Sequence, residues 1–281
     1  MPKANVIAPS LPIPWLCRRP CISAWMKPGF LCGPRSSWAA PANDGSAKTG
    51  EVKLCTIGSA ESLDAEGTPI RDPGSVTYSA ALESARTLGT AAARSPFAQR
   101  LWREATRRRF CPASRTVVLG DGALWIWNIA DDQFPDATQI VDRDHAKQHL
   151  SDVGKALYGP TTPRASQWAE RRKQELDSGG FRALLTAIRR QVPRSEEARR
   201  CLHYFQTNRH RMRYPEFHAQ GLCTSTGVVE AGCKVAIGTR LKPAGMHWTI
   251  PGSNAIIALR CSKLSGRFQD FWERRSEPRA A

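Results

Sequence analysis

Two short apolar runs in this chain each end on an aspartate, a residue that could bind a cation there. The run VVLG leads into Asp121 and the run TQIV leads into Asp142. A carboxylate beside buried residues costs desolvation energy unless it is hydrogen-bonded, paired or bound to a cation. In a parallel α/β sheet, ligands gather at the carboxyl ends of the strands. Asp121 is therefore a candidate metal ligand, and a cap of the following helix is an equal alternative.

Asp142 has two histidines behind it at helical spacing. His145 and His149 follow it by three and seven residues, so all three lie on one helical face if Asp142 begins a helix. Such a face could hold a metal ion, because imidazole and carboxylate are both metal ligands. A capping aspartate followed by structural histidines is the more common arrangement, and the residues favour it.

A third carboxylate, Glu230, lies within the otherwise apolar stretch GVVEAGCK. Lys234 follows it by four residues, so a surface ion pair on a helix is the simplest interpretation. The functional alternative is a metal-binding carboxylate beside a lysine that contacts phosphate. Arg240 and Lys242 extend the basic side of this stretch.

The charge of the chain points to a polyanionic partner. The net charge is +16, and the excess is uneven: residues 1–142 hold 16 Lys/Arg against 13 Asp/Glu, whereas residues 143–281 hold 25 against 12. Phosphate contacts supply sequence-independent affinity, so nucleic acid is the expected partner. The segment NRHRMR, with Arg209, Arg211 and Arg213, is a candidate DNA contact, and a solvated basic face is the alternative.

Cysteine usage and hydropathy exclude several classes of protein. The nine cysteines are scattered without any C-x-x-C pair, which argues against a disulfide scaffold and a zinc knuckle. No apolar run approaches the roughly 20 residues that a membrane-crossing helix needs. We therefore expect a cytoplasmic protein with reduced thiols and no membrane partner.

The pattern of apolar residues predicts an α/β fold for most of the chain. Residues 1–43 hold 8 of the 20 prolines and follow neither a helical nor a strand period. After them, EVKLCTI, SVTYSA, TVVL and ATQIVD read as strands, and the last two alternate with helices, which implies parallel neighbours. Predicted helices cover about 80–109 (broken near Ser95-Pro96), 123–134, 143–158, 165–213, about 224–242, and one or two closing segments.

Four stretches in this order resemble the ISKra-four family of bacterial insertion-sequence transposases: VVLGDGALWIWNIADDQFPDATQIVDRDHAKQHL, RMRYPEFHAQGL, GVVEAGCK and LSGRFQDFWE. The resemblance covers about Asp44 to Glu273. It implies a DDE-type transposase with an RNase H-like mixed sheet flanked by helices, and a helical insertion, at about 150–222, before the last acid. It also implies that the partner is DNA, at the ends of the mobile element and at its target. Assembly as a homo-oligomer is left open.

The resemblance assigns roles to several residues. Asp121 matches the second acid of the catalytic set and Glu230 the third, whereas Asp142 is either an acid in another alignment or a cap. His145 matches a histidine with a structural or DNA-positioning role. In such enzymes three carboxylates hold two Mg²⁺ or Mn²⁺ ions, which activate water or a 3′-hydroxyl and stabilise the leaving oxygen.

The first acid of that set is missing from the chain. The family carries it in a motif of the form D-G/E-T-G-x-P, which residues 1–45 do not contain. The stretch AWMKPGFL, read one base out of frame, begins Asp-Glu and permits the rest of the motif. We therefore expect residues up to about 43 to be out of frame, and a genuine divergent N-terminus is the alternative. The expected product is a degenerate transposase with little or no activity, and its rival is a catalytically inactive, basic DNA-binding protein.

Overall fold

A five-stranded sheet forms the centre of the molecule. The computed structural model describes residues 52–59, 74–83, 94–113, 115–225, 231–241 and 248–276, with short pieces at 20–25, 40–41, 47–48, 62–63, 65, 69–70 and 72. The strands are β1 (Pro20–Trp25), β2 (Lys53–Ser59), β3 (Thr77–Ala81), β4 (Val117–Gly120) and β5 (Thr138–Val141). Two small two-stranded ladders pair Ala40–Pro41 with Ala47–Lys48, and Ser62–Leu63 with Pro69–Ile70.

The sheet is mixed, and its strand order is β3-β2-β1-β4-β5. The first three strands of the chain are joined antiparallel, β1 to β2 and β2 to β3, whereas β4 lies parallel to both β1 and β5. A parallel neighbour needs a crossover connection, and the helices between β3 and β5 supply it. The carboxyl ends of β1, β4 and β5 therefore lie at the same edge of the sheet.

Helices make up most of the remaining described chain. They are α1 (Pro96–Arg107), α2 (Leu124–Gln133), α3 (Arg143–Tyr158), α4 (Pro163–Asp177), α5 (Phe181–Arg189), α6 (Glu196–Asn208), α7 (Tyr214–Ala219), α8 (Ile250–Leu264) and α9 (Phe268–Ser276). Short 3₁₀ turns lie at Val192–Arg194 and Arg209–Arg211, and a π-helical segment, Cys233–Gly238, continues into the helical turn Thr239–Leu241. No helix of the described ranges has the length and hydropathy needed to cross a membrane.

The buried apolar side chains form two clusters. The larger one joins the apolar side chains of β2, β4 and β5 to α1–α7, and its largest members include Trp127, Phe97 and Phe205. The smaller one packs β2 and β3 against the π-helical segment and α8, around Leu54, Ile237 and Ile257. β2 and β4 are buried along nearly their whole length because both faces of the sheet are covered there.

The local pattern predicts most of these elements, with three differences. The predicted strands in EVKLCTI, SVTYSA, TVVL and ATQIVD are confirmed, as are the helix 143–158 and the parallel pairing of β4 with β5. The helix predicted from about residue 80 is wrong at its start, because β3 continues to Ala81 and α1 begins only at Pro96, where Ser95 accepts a hydrogen bond from the amide of Ala98. Residues 84–93 lie outside the described part.

The other two differences lie in residues 1–43 and in the stretch 224–242. No element is predicted in residues 1–43, yet β1 lies there, at the centre of the sheet. A helix is predicted over about 224–242, and residues 231–241 are helical, but Cys233–Gly238 form a π-helical segment within it. Arg260 donates hydrogen bonds to the carbonyls of Val235 and Ala236 in this segment.

Candidate active site at the carboxyl edge of the sheet

The two aspartates singled out by their position lie side by side. Gly120 of β4 pairs with Val141 of β5, so the residues that follow, Asp121 and Asp142, are level at the carboxyl ends of two neighbouring strands. The amide of Asp142 donates a 2.7 Å hydrogen bond to the carbonyl of Gly120. Both residues are buried, with exposed fractions of 5% and 4%. We call this pair of strand ends, with Asp121 and Asp142, the acid edge.

Asp121 lies in a tight turn that only glycine can complete. Its Oδ1 accepts a 2.9 Å hydrogen bond from the amide of Ala123, while its carbonyl accepts a 2.8 Å hydrogen bond from the Tyr204 hydroxyl. Gly122 follows with φ of +100°, and a Cβ built there would lie 2.4 Å from Cε2 of Tyr204. Backbone strain and the packing of Tyr204 both exclude a side chain at this position. The sequence GDG therefore fixes the direction in which the chain leaves β4.

Asp142 begins α3 as its N-cap. Its Oδ1 accepts hydrogen bonds from the amides of Asp144, at 2.8 Å, and His145, at 3.0 Å. Two amides that would otherwise lack partners in the first turn of the helix are thereby satisfied. The capping alternative for Asp142 is thus present in the structure, and it occupies one of the two carboxylate oxygens.

The rings of Tyr204, His145 and His149 pack together near the acid edge. The ring of Tyr204 lies 4.2 Å from the His149 ring and 6.2 Å from the His145 ring, measured between centroids. Burial raises the pKa of the Tyr204 phenol, and the carboxylates of Asp121 and Asp142 are among the groups that raise it further. Burial also lowers the pKa of His149. Tyr204 is therefore a protonated hydrogen-bond donor and His149 a neutral ring at neutral pH, so the predicted face of Asp142, His145 and His149 packs against a tyrosine.

A second tyrosine holds the end of β5. The Tyr214 hydroxyl donates a 3.1 Å hydrogen bond to the carbonyl of Val141, and this pair is buried. Nearby, the indole nitrogen of Trp127 donates a 3.1 Å hydrogen bond to the side-chain oxygen of Asn208. The helical region therefore contacts both strand ends of the acid edge through hydrogen bonds to backbone carbonyls, Tyr204 from α6 and Tyr214 from α7.

The segment after α7 returns to the same place. The amide of Arg143 donates a 2.9 Å hydrogen bond to the carbonyl of Thr224, and the hydroxyl of Ser225 donates a 2.6 Å hydrogen bond to Oδ2 of Asp144. Residues 226–230, with Glu230, come next and lie outside the described part of the chain. The stretch that contains Glu230 therefore begins beside the first turn of α3, which follows Asp142.

The described residues do not complete a metal site. Among them, no group of three or more His, Cys, Asp or Glu side chains is arranged to hold a metal ion. Their buried carboxylates are Asp121, Asp142 and Glu104. Glu104 belongs to α1, where Arg107 and Arg267 form ion pairs with it at 2.7 and 3.1 Å, so its charge is already neutralised.

The basic residues predicted to contact DNA differ in their surroundings. Arg209 is exposed, and so is Arg213, which forms an ion pair with Glu216 at 2.8 Å. Arg211 is half-buried: its guanidinium lies 4.5 Å from the centroid of the Trp127 ring and its Nε donates a hydrogen bond to Gln139. Lys234 and Arg240 are exposed on the π-helical segment and the turn after it, whereas Lys242 lies outside the described residues.

Sequence reasoning did not identify Tyr204, Tyr214 and Asn208 as part of this site. The one signal in the sequence was the spacing of Tyr204 and Asn208, at positions i and i+4, which places them on one face of a helix that runs into NRHRMR. Nothing in that spacing indicates which strand ends they contact.

Comparison with known proteins does not identify a family, because no protein-family model and no curated protein matches the chain.

Proposed function

We propose that this chain is the catalytic domain of a DDE-type DNA transposase that has lost one of its metal ligands. The observation that carries the proposal is the sheet: strand order β3-β2-β1-β4-β5, with β2 antiparallel to its neighbours and an aspartate at the carboxyl end of β4. An RNase H-like core has the same strand order and orientation, and this agreement supports the proposal. The reaction class is DNA strand cleavage and strand transfer.

The helices between β5 and the Glu230 stretch support the proposal. Helices α4–α7 occupy most of 150–222, where the insertion before the last acid is expected, and this range holds 14 Lys/Arg against 7 Asp/Glu. Ser225, at the end of this region, is hydrogen-bonded to the first turn of α3. Five residues of chain span at most about 18 Å, so Glu230 is within reach of the acid edge.

The residues present do not fit a two-ion centre as the chain stands. Asp121 is the one carboxylate at the edge that does not cap a helix, and Glu230 would supply a second. Two divalent ions, where bound, would activate the attacking oxygen and stabilise the leaving one. With the first acid missing, we expect no Mg²⁺- or Mn²⁺-dependent strand cleavage above that of Asp121→Ala. Cleavage that disappears in Asp121→Ala would mean that the chain is an active enzyme.

A catalytically inactive DNA-binding protein is the second candidate. The same incomplete acid edge favours it, together with the exposed basic side chains of Arg209, Arg213, Lys234 and Arg240. Both candidates bind DNA through phosphate contacts. They differ in whether restoring the missing acid gives strand cleavage.

The DNA-binding step is tested by charge reversal at exposed arginines. Arg209→Glu with Arg213→Glu should weaken binding to duplex DNA and reduce the slope of log K against log salt by about 1 for each phosphate that the protein no longer neutralises. Arg103→Glu, on the exposed face of α1, is the matched control. Arg211 is left intact because it packs on Trp127. If the double variant and the control bind DNA equally well, the basic helical region is not the binding surface.

A further inference from the structure

The central strand β1 places one residue beside Asp121. Ser23 of β1 pairs with Leu119 of β4 in parallel register. Parallel strands advance one residue for one, so Trp25, two positions on, is level with Asp121. Neighbouring strands lie about 4.8 Å apart, which would bring a carboxylate at this level beside that of Asp121. The position is held by tryptophan, an uncharged residue.

The codons at this position force an aspartate in one shifted frame. Tryptophan is encoded only by TGG, methionine only by ATG, and lysine by AAA or AAG. Reading from the third base of each codon, Trp25 and Met26 give GAT, which is aspartate, and Met26 and Lys27 give GAA, which is glutamate. The aspartate takes its first base from the codon of Trp25, so it falls at the level of Asp121 or one residue beyond it.

The other shifted frame is closed at the same place. Reading from the second base, Met26 and Lys27 give TGA, a stop codon in the standard code. Across codons 25–27, one of the two alternative frames therefore terminates, and the other encodes two adjacent carboxylates. No choice of synonymous codons changes either result.

The third-base frame is also compatible with a strand before its aspartate. The shifted codons that end in Cys21 and in Trp25 both read NTG, which permits only Met, Leu or Val. The shifted codon between Cys21 and Ile22 reads TAT or CAT, which is Tyr or His. Apolar residues at the first and fifth positions of a six-residue segment lie on one face of a strand that ends on the aspartate.

We infer that codons 20 to about 43 are translated here out of frame, and that their third-base frame supplies a carboxylate beside Asp121 that completes a divalent-cation site. The inference rests on the proposed function for the identity of the acid edge. It goes further in naming the codon and the register position of the missing ligand. In the present chain the same codons still give a strand, β1, but a strand without its acid.

The nucleotide sequence of codons 20–44 is the first test. The inference expects the third-base frame to be open from codon 20 to the point where the present frame resumes. A stop within codons 20–31, such as the TAG that ATT for Ile22 followed by an AGY codon for Ser23 would create, overturns the inference.

The second test compares Mn²⁺ binding to the full chain as it stands and to a full-length version with these codons in the shifted frame. Electron paramagnetic resonance of free Mn²⁺ gives the affinity. The re-read version should bind Mn²⁺ more tightly by at least about tenfold, because affinity follows the number of charged ligands. Asp121→Asn in the re-read version should remove the gain, and equal affinity for the two chains overturns the inference.

A variant within the present chain covers the case in which the re-read version fails to fold. Trp25→Asp should bind Mn²⁺ more tightly than Trp25→Asn, which has the same size and no charge. Equal affinity of the two variants, where the re-read version does not fold, overturns the inference. A re-read version that gains Mn²⁺ binding through Asp121 and yet cleaves no DNA would uphold the inference while refuting the transposase proposal.

Discussion

The ends of β4 and β5 carry the same residue and use it differently. Asp142 begins a helix, and its carboxylate accepts hydrogen bonds from the amides of Asp144 and His145. Asp121 is followed by Gly122 in a left-handed turn, and α2 starts at Leu124 after a residue that offers no side-chain cap. The comparison teaches that aspartates at two neighbouring strand ends can have different structural roles: the carboxylate of Asp142 caps a helix, whereas that of Asp121 accepts an amide hydrogen bond within its own turn.

The largest effect is expected at Gly122, which sets the turn at the Asp121 end. Gly122→Ala should lower the free energy of unfolding by about 2–4 kcal/mol, because it adds both a strained φ and a collision with Tyr204. Gly266→Ala is the matched control: its φ is also positive, at +68°, but no atom lies within 4 Å of a Cβ there. The control should lose only about 1 kcal/mol. Equal losses in urea unfolding would mean that Tyr204 does not constrain the turn.

Substitution of the two aspartates should have different effects at the two strand ends. Asp142→Ala should cost about 1–2 kcal/mol of stability because two amides of α3 lose their acceptor, whereas Asp142→Asn should cost little because asparagine is an equally good cap. Asp121→Asn should leave stability nearly unchanged and remove any cation binding at the edge. Thermal unfolding with and without Mn²⁺ measures both properties. A loss at Asp121→Asn as large as that at Asp142→Ala would contradict the comparison.

The two tyrosine hydroxyls offer a smaller and more symmetrical comparison. Tyr214→Phe should lower stability by about 1 kcal/mol, because the buried carbonyl of Val141 loses its donor. Tyr204→Phe removes an equivalent hydrogen bond to Asp121 at a site that is less buried, so water can replace part of it and the loss should be smaller. Chemical denaturation of both variants gives the ranking, and the reverse ranking would show that the Asp121 end depends more on its tyrosine.

The smallest effect is a pH dependence at His149. Burial lowers its pKa in the folded chain below the ordinary value of 6.5, so the unfolded chain takes up the proton first as the pH falls. The stability that comes from burying His149 in its neutral form is fully present above pH 6.5, and it is lost as the pH falls from there through the lowered pKa. Asp152 and Glu197 oppose the shift and limit its size.

His149→Gln should therefore reduce the fall in melting temperature between pH 7.5 and pH 5.5. His203→Gln, which changes an exposed histidine of α6, is the control. If both variants leave the pH dependence as it is in the parent chain, His149 is not the group that is responsible.

The parts that the sequence predicted are those that local pattern determines. The strands before Asp121 and Asp142 and the helix from Arg143 to Tyr158 follow from apolar runs, a capping aspartate and the glycine after the helix. β1 could not be found in this way, because PCISAW has no period and prolines surround it. Its place in the sheet depends on pairing with β2 and β4, which lie far along the chain.

The site was predictable only in its charged members. Asp121 and Asp142 could be chosen because a carboxylate beside a buried strand needs an explanation. Tyr204 could not be chosen, because a tyrosine on an amphipathic helix packs somewhere in almost any fold. Tyr204 and the carbonyl of Asp121 are separated by 83 residues in the sequence, and Tyr214 and the carbonyl of Val141 by 73 residues. Neither contact therefore leaves a local pattern in the sequence.

The two tyrosine hydroxyl bonds have a consequence for how such chains can diverge. Helices α4–α7 cannot be treated as an interchangeable module, because α6 and α7 supply the donors for the ends of β4 and β5. A chimaera that imports this region from another protein would need a tyrosine at both positions, spaced ten residues apart, and a glycine after the first aspartate to receive one of the rings. Residues at these three positions are therefore expected to change together or not at all.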